Sequence, residues 1–380
     1  MDSALFDEIE KQLKSGGAVA GFSFLIEEFR RGKKYPLLFE ARLMKKRHEL
    51  GLPLIQTNSQ DELPAEARRV YEQTTIEAAR EVGSLFLADG QIERAWPYFR
   101  AIGEPQAIAE AIGKLELDKG QDGVDGIIAI AFHEGIDQRK GFQLILEHHG
   151  ICRAITAIGQ YPPSEGREES ALLLTRTLHH EIAAGMKRVI AQQEGQAPAT
   201  ESLPEIIANR EWLFEGGSYY TDSSHVASVV QYSIQLKTPE TLALALELAE
   251  YGQHLAPIFH YKGEPPFENI YEDHAIYLRA LLDDGVEEAI AHFRKKMTGS
   301  DPAQVGWAPA ETLVNFLCRL DRYGEALEVF RQNLRDADPA YLRCPTESQL
   351  CQLARDFAAL RDLAQQRGDL LSFTAAALQG

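Results

Sequence analysis

The sequence has few of the residues and patterns that identify a protein at first reading. It holds four cysteines in 380 residues, and none are spaced as CxxC, so we expect buried, reduced thiols. No apolar run approaches the ~18 residues that span a bilayer. The segment 1–17 is acidic and amphipathic, without the basic and apolar parts of a secretory signal. We therefore expect a cytoplasmic protein with no membrane partner.

Basic residues are outnumbered throughout the chain. There are 39 Lys and Arg against 57 Asp and Glu, which leaves a formal net charge of −18. Proteins that bind nucleic acid usually display a basic face to the phosphate backbone. The charge balance therefore argues against a nucleic-acid partner.

Signatures of the common nucleotide-binding and hydrolytic folds are missing as well. The sequence contains no GxxxxGK[ST], no GxGxxG after a strand, no GxSxG and no HExxH. The glycine-rich stretch 15–21 follows a helical pattern and lacks a phosphate-binding lysine. No reaction can be named from motifs of this kind.

What the sequence does contain is helical periodicity. Apolar residues make up 44% of the chain, and over long stretches they recur every three or four positions, which predicts an all-α fold. The clearest stretches are 18–32, 36–51, 171–190 and 240–255. Short Gly, Asp and Pro clusters separate the helices.

Two longer breaks divide the chain. They lie at 51–66 and 192–205. The second predicts an N-terminal helical half at 1–195 and a C-terminal half at 196–380, and one continuous array of helices is the alternative.

Three segments of the chain repeat a common pattern. In 89–105, 283–302 and 320–339 a turn is followed by a small residue, an aromatic residue four positions later and a terminal proline. The small residue allows a neighbouring helix to approach, and the aromatic ring fills the space one turn on. The pairs are Ala95 with Phe99, Ala289 with Phe293, and Ala326 with Phe330.

The third segment resembles the second helix of a tetratricopeptide repeat, with Tyr323, Ala326, Phe330 and Pro339 at the signature positions. The resemblance is clear over 284–339 and fair over 64–105. It implies a right-handed α-solenoid of antiparallel helix pairs whose concave groove binds a peptide, a protein or another ligand. We expect the second half of the chain to follow this pattern.

Histidines supply a candidate site. Four of the eleven are separated by 46, 46 and 49 residues, close to the length of one helix hairpin, and each has a carboxylate nearby. Imidazole with carboxylate is a ligand set for divalent transition metals, and a carboxylate can also orient an imidazole as a general base. The alternative is a set of hydrogen-bonded core histidines. The four are His133, His179, His225 and His274.

The strongest members of this set are His225 and His274, because each falls on an apolar stripe of its helix. We predict a cluster whose histidines are metal ligands, with further residues that line a groove beside it. The cofactor is then a divalent transition metal. If the cluster is structural, no cofactor is expected. The cluster comprises His179, Asp222, His225, Asp273 and His274, and the groove residues are Tyr220, Ser224 and Tyr271. Asp222 or Ser223 is also a natural N-cap for a helix that begins here.

Three classes of function fit these observations. The first is a solenoid binding or scaffold protein that takes a partner or a small ligand in its groove, which the repeats favour. The second is a metal-dependent or acid/base enzyme with a His/carboxylate centre. The third is an oligomerisation module, which exposed apolar ends would favour.

Overall fold

The computed structural model of the chain describes residues 3–55, 63–116, 123–160, 166–338 and 340–380. The backbone of these residues is helical, and no β-strand is present among them. The all-α fold class is thereby confirmed. The helices are α1 (Ser3–Arg31), α2 (Tyr35–Glu49), α3 (Ala65–Ala88), α4 (Ile92–Ala101), α5 (Gln106–Gly113), α6 (Val124–Ile128), α7 (Gln138–Gln160), α8 (Arg167–Glu194), α9 (Leu203–Ile207), α10 (Ser223–Tyr232), α11 (Pro239–His254), α12 (Ile270–Leu281), α13 (Val286–Gly299), α14 (Pro302–Val305), α15 (Ala308–Arg319), α16 (Tyr323–Asn333), α17 (Glu347–Leu353), α18 (Phe357–Arg367) and α19 (Leu370–Gln379).

The chain forms two compact units, residues 1–150 and residues 151–380. The change of unit coincides with a break in α7, where Gly150 takes a positive φ of 79° that a residue with a side chain rarely adopts. The division expected at residue 195 falls inside the second unit. The reason is that α8, which ends at Glu194, packs on α9, α10 and α11.

In the first unit, α2, α3 and α4 pack against their neighbours in the chain. The core forms where their apolar stripes meet, and Leu38, Val82 and Phe86 are almost fully buried in it. Trp96 joins this core and donates a hydrogen bond from Nε1 to Oε1 of Glu134 at 3.0 Å.

In the second unit, helices that follow one another in the chain pack on each other: α11 on α12, α15 on α16, and α18 on α19. One core of aromatic and aliphatic side chains runs through α12 to α19. Tyr277, Phe293 and Phe316 form its aromatic centre, with ring centroids 4.5 to 5.7 Å apart.

Several helices of this unit begin where the sequence offers a short polar side chain. An Asp or Thr oxygen accepts a hydrogen bond from a backbone N–H of the first turn, which satisfies a donor that the helix leaves unpaired. At α17, Thr346 and Gln349 cap each other reciprocally. The other caps of this kind are Asp222, Thr238, Asp301, Asp356 and Asp369.

The three repeated Ala/Phe pairs all contribute to the cores. Each of the six side chains is at most 4% exposed. The close packing expected at these positions is confirmed. The proline of the third segment, Pro339, lies outside the described residues, and the repeat family remains a prediction.

None of the helices in the described ranges combines the length and the apolar character that crossing a bilayer requires.

Candidate functional site

The residues of the predicted cluster come from three neighbouring helices of the second unit. His179 lies in α8, and Ser224 and His225 lie at the start of α10. Tyr271, Asp273 and His274 lie in the first half of α12. Since α10 packs on both α8 and α12, the sequence pattern places these residues in one region of the fold, and the contacts of each side chain decide what the region does.

His179 pairs with a residue that the sequence did not single out. Its Nε2 donates to Oε2 of Glu247, from α11, at 2.7 Å. The same carboxylate accepts from Oγ of Ser202 at 3.1 Å and from the backbone N–H of Leu203 at 2.8 Å, at the start of α9. His179 therefore helps to fasten α8, α9 and α11 together.

Burial of Glu247 favours its neutral form, but the hydrogen bonds from His179, from the Leu203 N–H and from Ser202 outweigh that effect. The pKa of Glu247 is lowered as a result. The carboxylate stays ionised at neutral pH and keeps all three donors satisfied.

Asp222 and Ser224 belong to the start of α10. Oδ1 of Asp222 accepts from the backbone N–H of Ser224 at 2.8 Å and from its hydroxyl at 2.6 Å. The N-cap interpretation of Asp222 is confirmed. His225 is only half-buried, whereas Val229, one turn further along the predicted stripe, is fully buried together with Val226 and Val230.

The tyrosines of the predicted groove donate hydrogen bonds to backbone carbonyls. Tyr220 donates from its hydroxyl to the carbonyl of Leu213 at 2.7 Å, and its N–H donates to the hydroxyl of Tyr251 at 3.1 Å. Tyr271 is buried, and its hydroxyl donates to the carbonyl of Ser223 at 3.4 Å. Burial raises the pKa of Tyr251 and of Tyr271, so both phenols stay neutral.

His274 is a core residue. It is 1% exposed, stacks on Phe267 with ring centroids 4.2 Å apart, and donates from Nδ1 to the carbonyl of Ile270 at 2.7 Å. Burial lowers its pKa to about 4, although the bond to the Ile270 carbonyl and the charge of Asp273 oppose the shift. The imidazole is neutral at physiological pH.

This burial predicts a dependence of stability on pH. An unfolded histidine takes up a proton near pH 6.5, whereas folded His274 does so only near pH 4. Below pH 6.5 the unfolded state binds the extra proton, so stability is lost as the pH falls. Between pH 7.5 and 4.5, His274→Asn, which keeps a donor near the Nδ1 position, should lose about 2 to 3 kcal/mol less stability than the wild type.

Urea unfolding at several pH values measures this difference. His180→Asn is the matched control, because His180 is exposed on α8. Equal pH dependence in the wild type and in His274→Asn would contradict the prediction.

Asp273 is turned away from the histidines of the predicted cluster. It is 1% exposed, and Oδ1 accepts from Nε2 of His292 at 2.8 Å. Oδ2 accepts from Nζ of Lys296 at 2.6 Å and from the backbone N–H of Asn269 at 2.9 Å. Asp273 thus joins α12 to α13.

The second carboxylate on Lys296 is Glu268, at 2.6 Å. Burial favours the neutral amine, but the hydrogen bonds that Lys296 donates to Asp273 and Glu268 prevail, and the pKa of Lys296 is raised. Neither His292 nor Lys296 belonged to the predicted cluster. A signal was present, because both lie on one face of α13, four residues apart, and follow Asp273 by 19 and 23 positions.

The three-histidine metal centre is not assembled. Within the described ranges no three His, Cys, Asp or Glu side chains are grouped so as to hold a metal ion. The physical reason is that His179 is paired with Glu247, while His274 is enclosed by Phe267 and its own helix turn.

A groove elsewhere in the second unit is the better candidate site. One pocket of about 720 Å³ lies between the end of α15 and helices α17 to α19. A second, of about 690 Å³, lies between the start of α8, the segment 234–237 that follows α10, and helices α12 and α15. Asn315 and Leu353 line both pockets, so the two adjoin; we call the pair the C-terminal groove.

Leu353 is 43% exposed at this junction, where it offers an apolar contact. Asn315 donates from Nδ2 to the carbonyl of Arg343 at 3.0 Å and so holds the segment before α17 at the edge of the groove. Volumes of this size are typical of ligand sites.

The charge of the C-terminal groove is opposite to that of the chain. Four cationic side chains line it: Arg167, Lys237, Arg319 and Arg343. Of the lining residues in the described part of the chain, Glu168 alone is a carboxylate, and it pairs with Lys237 at 2.6 Å. The groove is a local positive region on a protein of formal net charge −18.

Two thiols line the groove but are not poised to react. Burial raises the pKa of Cys318 to about 11 and that of Cys344 to about 12. Both are protonated at neutral pH, and the thiolate is the nucleophilic form of cysteine. The chemistry of the groove favours holding an anionic ligand over attacking it.

Comparison with known proteins adds no relative to these observations. No protein-family model matches the chain, and neither the curated proteins nor the solved structures contain a significant match.

Proposed function

We propose that this protein is an α-solenoid binding or scaffold protein whose C-terminal groove holds an extended peptide segment of a partner. The observation that carries the proposal is the groove itself: two adjoining pockets with a shared apolar junction and few groups suited to catalysis. An elongated, divided groove suits an extended chain better than a single small molecule.

The tetratricopeptide-like arrangement, with antiparallel pairs in a right-handed stack, belongs to the same proposal. It is supported by the buried Ala/Phe pairs and by the packing of α15 on α16. Repeats of this kind create extended binding surfaces because each helix pair contacts only its neighbours.

The enzyme alternative has weaker support. Two imidazole–carboxylate pairs among the described residues of the second unit, His179 with Glu247 and His292 with Asp273, join helices to one another. Neither pair lines the C-terminal groove. A general base needs access to a substrate proton.

Selection from a random peptide library displayed on phage tests the proposal. We expect the purified chain to enrich a set of related peptides. Ser372→Trp, which places an indole in the groove, should weaken their binding at least about tenfold, or about 1.4 kcal/mol. Ala377→Trp is the matched control, because Ala377 is exposed on the same helix and is not a lining residue.

The measurement is fluorescence anisotropy with a synthetic copy of an enriched peptide. The proposal is wrong if no sequence is enriched, or if Ser372→Trp and Ala377→Trp bind that peptide equally well.

A further inference from the structure

Resting on the proposed function, we infer that the occupant of the C-terminal groove is an acidic peptide segment, whose Asp or Glu side chains dock at the end formed by Arg167, Lys237 and Arg319. We call the part of the groove formed by these three residues the cationic end. Three of its features indicate an acidic partner.

The first feature is uncompensated charge. Among the residues that the structure describes, three cations and one carboxylate, Glu168, line the cationic end, and that carboxylate is paired with Lys237. Lys237 is also the most exposed of the three, at 74% of its side chain, so a ligand can reach it. An entering carboxylate therefore meets an excess of positive charge.

The second feature is Arg167. Its Nε is shielded from solvent and has no hydrogen-bond partner in the part of the chain that the structure describes. A buried donor without an acceptor is unfavourable. The side chain is partly exposed and lines the pocket, so a ligand carboxylate can approach the rest of the guanidinium. Arg167 is also the first residue of α8, a helix of 28 residues whose N-cap, Gly166, has no side chain to accept from the first turn. The partial positive charge of the helix N-terminus adds to that of the guanidinium, and the carboxylates of Glu168 and Glu169 in the first turn offset part of it.

The third feature is the rigidity of Arg319. Its guanidinium donates to the carbonyls of Ile234 and Leu236 and lies over the ring of Tyr277, 5.7 Å from the centroid. These partners are neutral, so they hold the side chain in place without cancelling its charge. A cation fixed before binding loses little conformational entropy when an anion arrives.

The other end of the groove suits a peptide backbone. Gln349 and Gln352 line it, and Arg343 is exposed at its margin. Oε1 of Gln349 caps α17 and Nε2 of Gln352 donates to Gln379, so Nε2 of Gln349 is the group that can donate to a peptide backbone and Oε1 of Gln352 the group that can accept from it. The net charge of −18 repels acidic chains at long range. Because that repulsion is screened within about 8 Å at physiological salt, contact with the cationic end decides binding.

The test uses a fluorescein-labelled dodecapeptide of alternating Asp and Ser, with an Asn/Ser peptide and a Lys/Ser peptide for comparison. We expect the Asp/Ser peptide to bind at least about tenfold more tightly than either, and its affinity to fall as salt rises. Arg167→Gln should weaken its binding about five- to tenfold. Arg188→Gln is the matched control, since Arg188 is exposed on the same helix, about 30 Å further along it.

Lys237→Gln is the second variant, because its exposed side chain can be changed without disturbing the fold, and it should also weaken binding. The inference is overturned if Arg167→Gln and Lys237→Gln bind the Asp/Ser peptide as the wild type does, or if the Asn/Ser peptide binds equally well. If neutral peptides bind and Ser372→Trp abolishes their binding, the acidic partner is wrong while the proposed function stands. Absence of library enrichment together with absence of Asp/Ser binding overturns both.

Discussion

Gly252→Ala should destabilise the second unit by about 3 kcal/mol, near the upper end of the effects seen when a packed core is overfilled. Gly252 lies in α11 against the ring of Tyr271. A Cβ added there would lie 2.2 to 2.6 Å from three atoms of that ring. Tyr271 is buried and its hydroxyl bonds to the Ser223 carbonyl, so the ring has little freedom to withdraw.

The better helix propensity of alanine opposes this effect by up to about 1 kcal/mol. Gly324→Ala isolates that contribution, because Gly324 lies in α16 and a Cβ there would have no neighbour within 4 Å. Urea unfolding should show Gly324→Ala unchanged or slightly more stable. If Gly252→Ala were equally stable, the close approach of α11 and α12 would be wrong.

Asp273→Asn should cost about 3 to 5 kcal/mol, the range found when one partner of a buried ion pair is removed. The change takes a charge from between His292 and Lys296 and leaves Lys296, whose side chain is 19% exposed, with Glu268 alone. It also weakens the acceptor for the backbone N–H of Asn269 at the start of α12.

Asp284→Asn is the control, because it removes the same charge from a side chain that is exposed in the turn between α12 and α13. A double-mutant cycle with Lys296→Met identifies the pair as the cause. The double variant should lose less stability than the sum of the single variants. Additive losses, or a loss from Asp273→Asn no greater than that from Asp284→Asn, would show that the ion pair does not join the two helices.

The predicted cluster shows how much of a site can be predicted from residue patterns. The stripe that contains His274 correctly places the imidazole in the core. His225 was assigned to a stripe by the same reasoning; Val229 and Leu236 of that stripe are buried, but His225 is only half-buried. Periodicity identifies a helical face, and only the packing of α8 and α12 on α10 selects which face is covered.

The sequence by itself determined what depends on residues close together in the chain. Spacing of three and four residues determined the helices, Asp and Thr at their starts determined the caps, and alanines paired with phenylalanines determined where helices approach closely. These are local properties, because a helix forms its hydrogen bonds within a few residues.

The tertiary structure decided the partners. Asp273 meets His292 across 19 residues, His179 meets Glu247 across 68, and Arg319 reaches the carbonyl of Ile234 across 85. The positive charge of the C-terminal groove is likewise gathered from separate helices of an acidic chain. A local pattern can mark residues such as His292 and Lys296, but it does not specify their partners, since the pairings depend on how helix faces pack and on which charged groups are desolvated together.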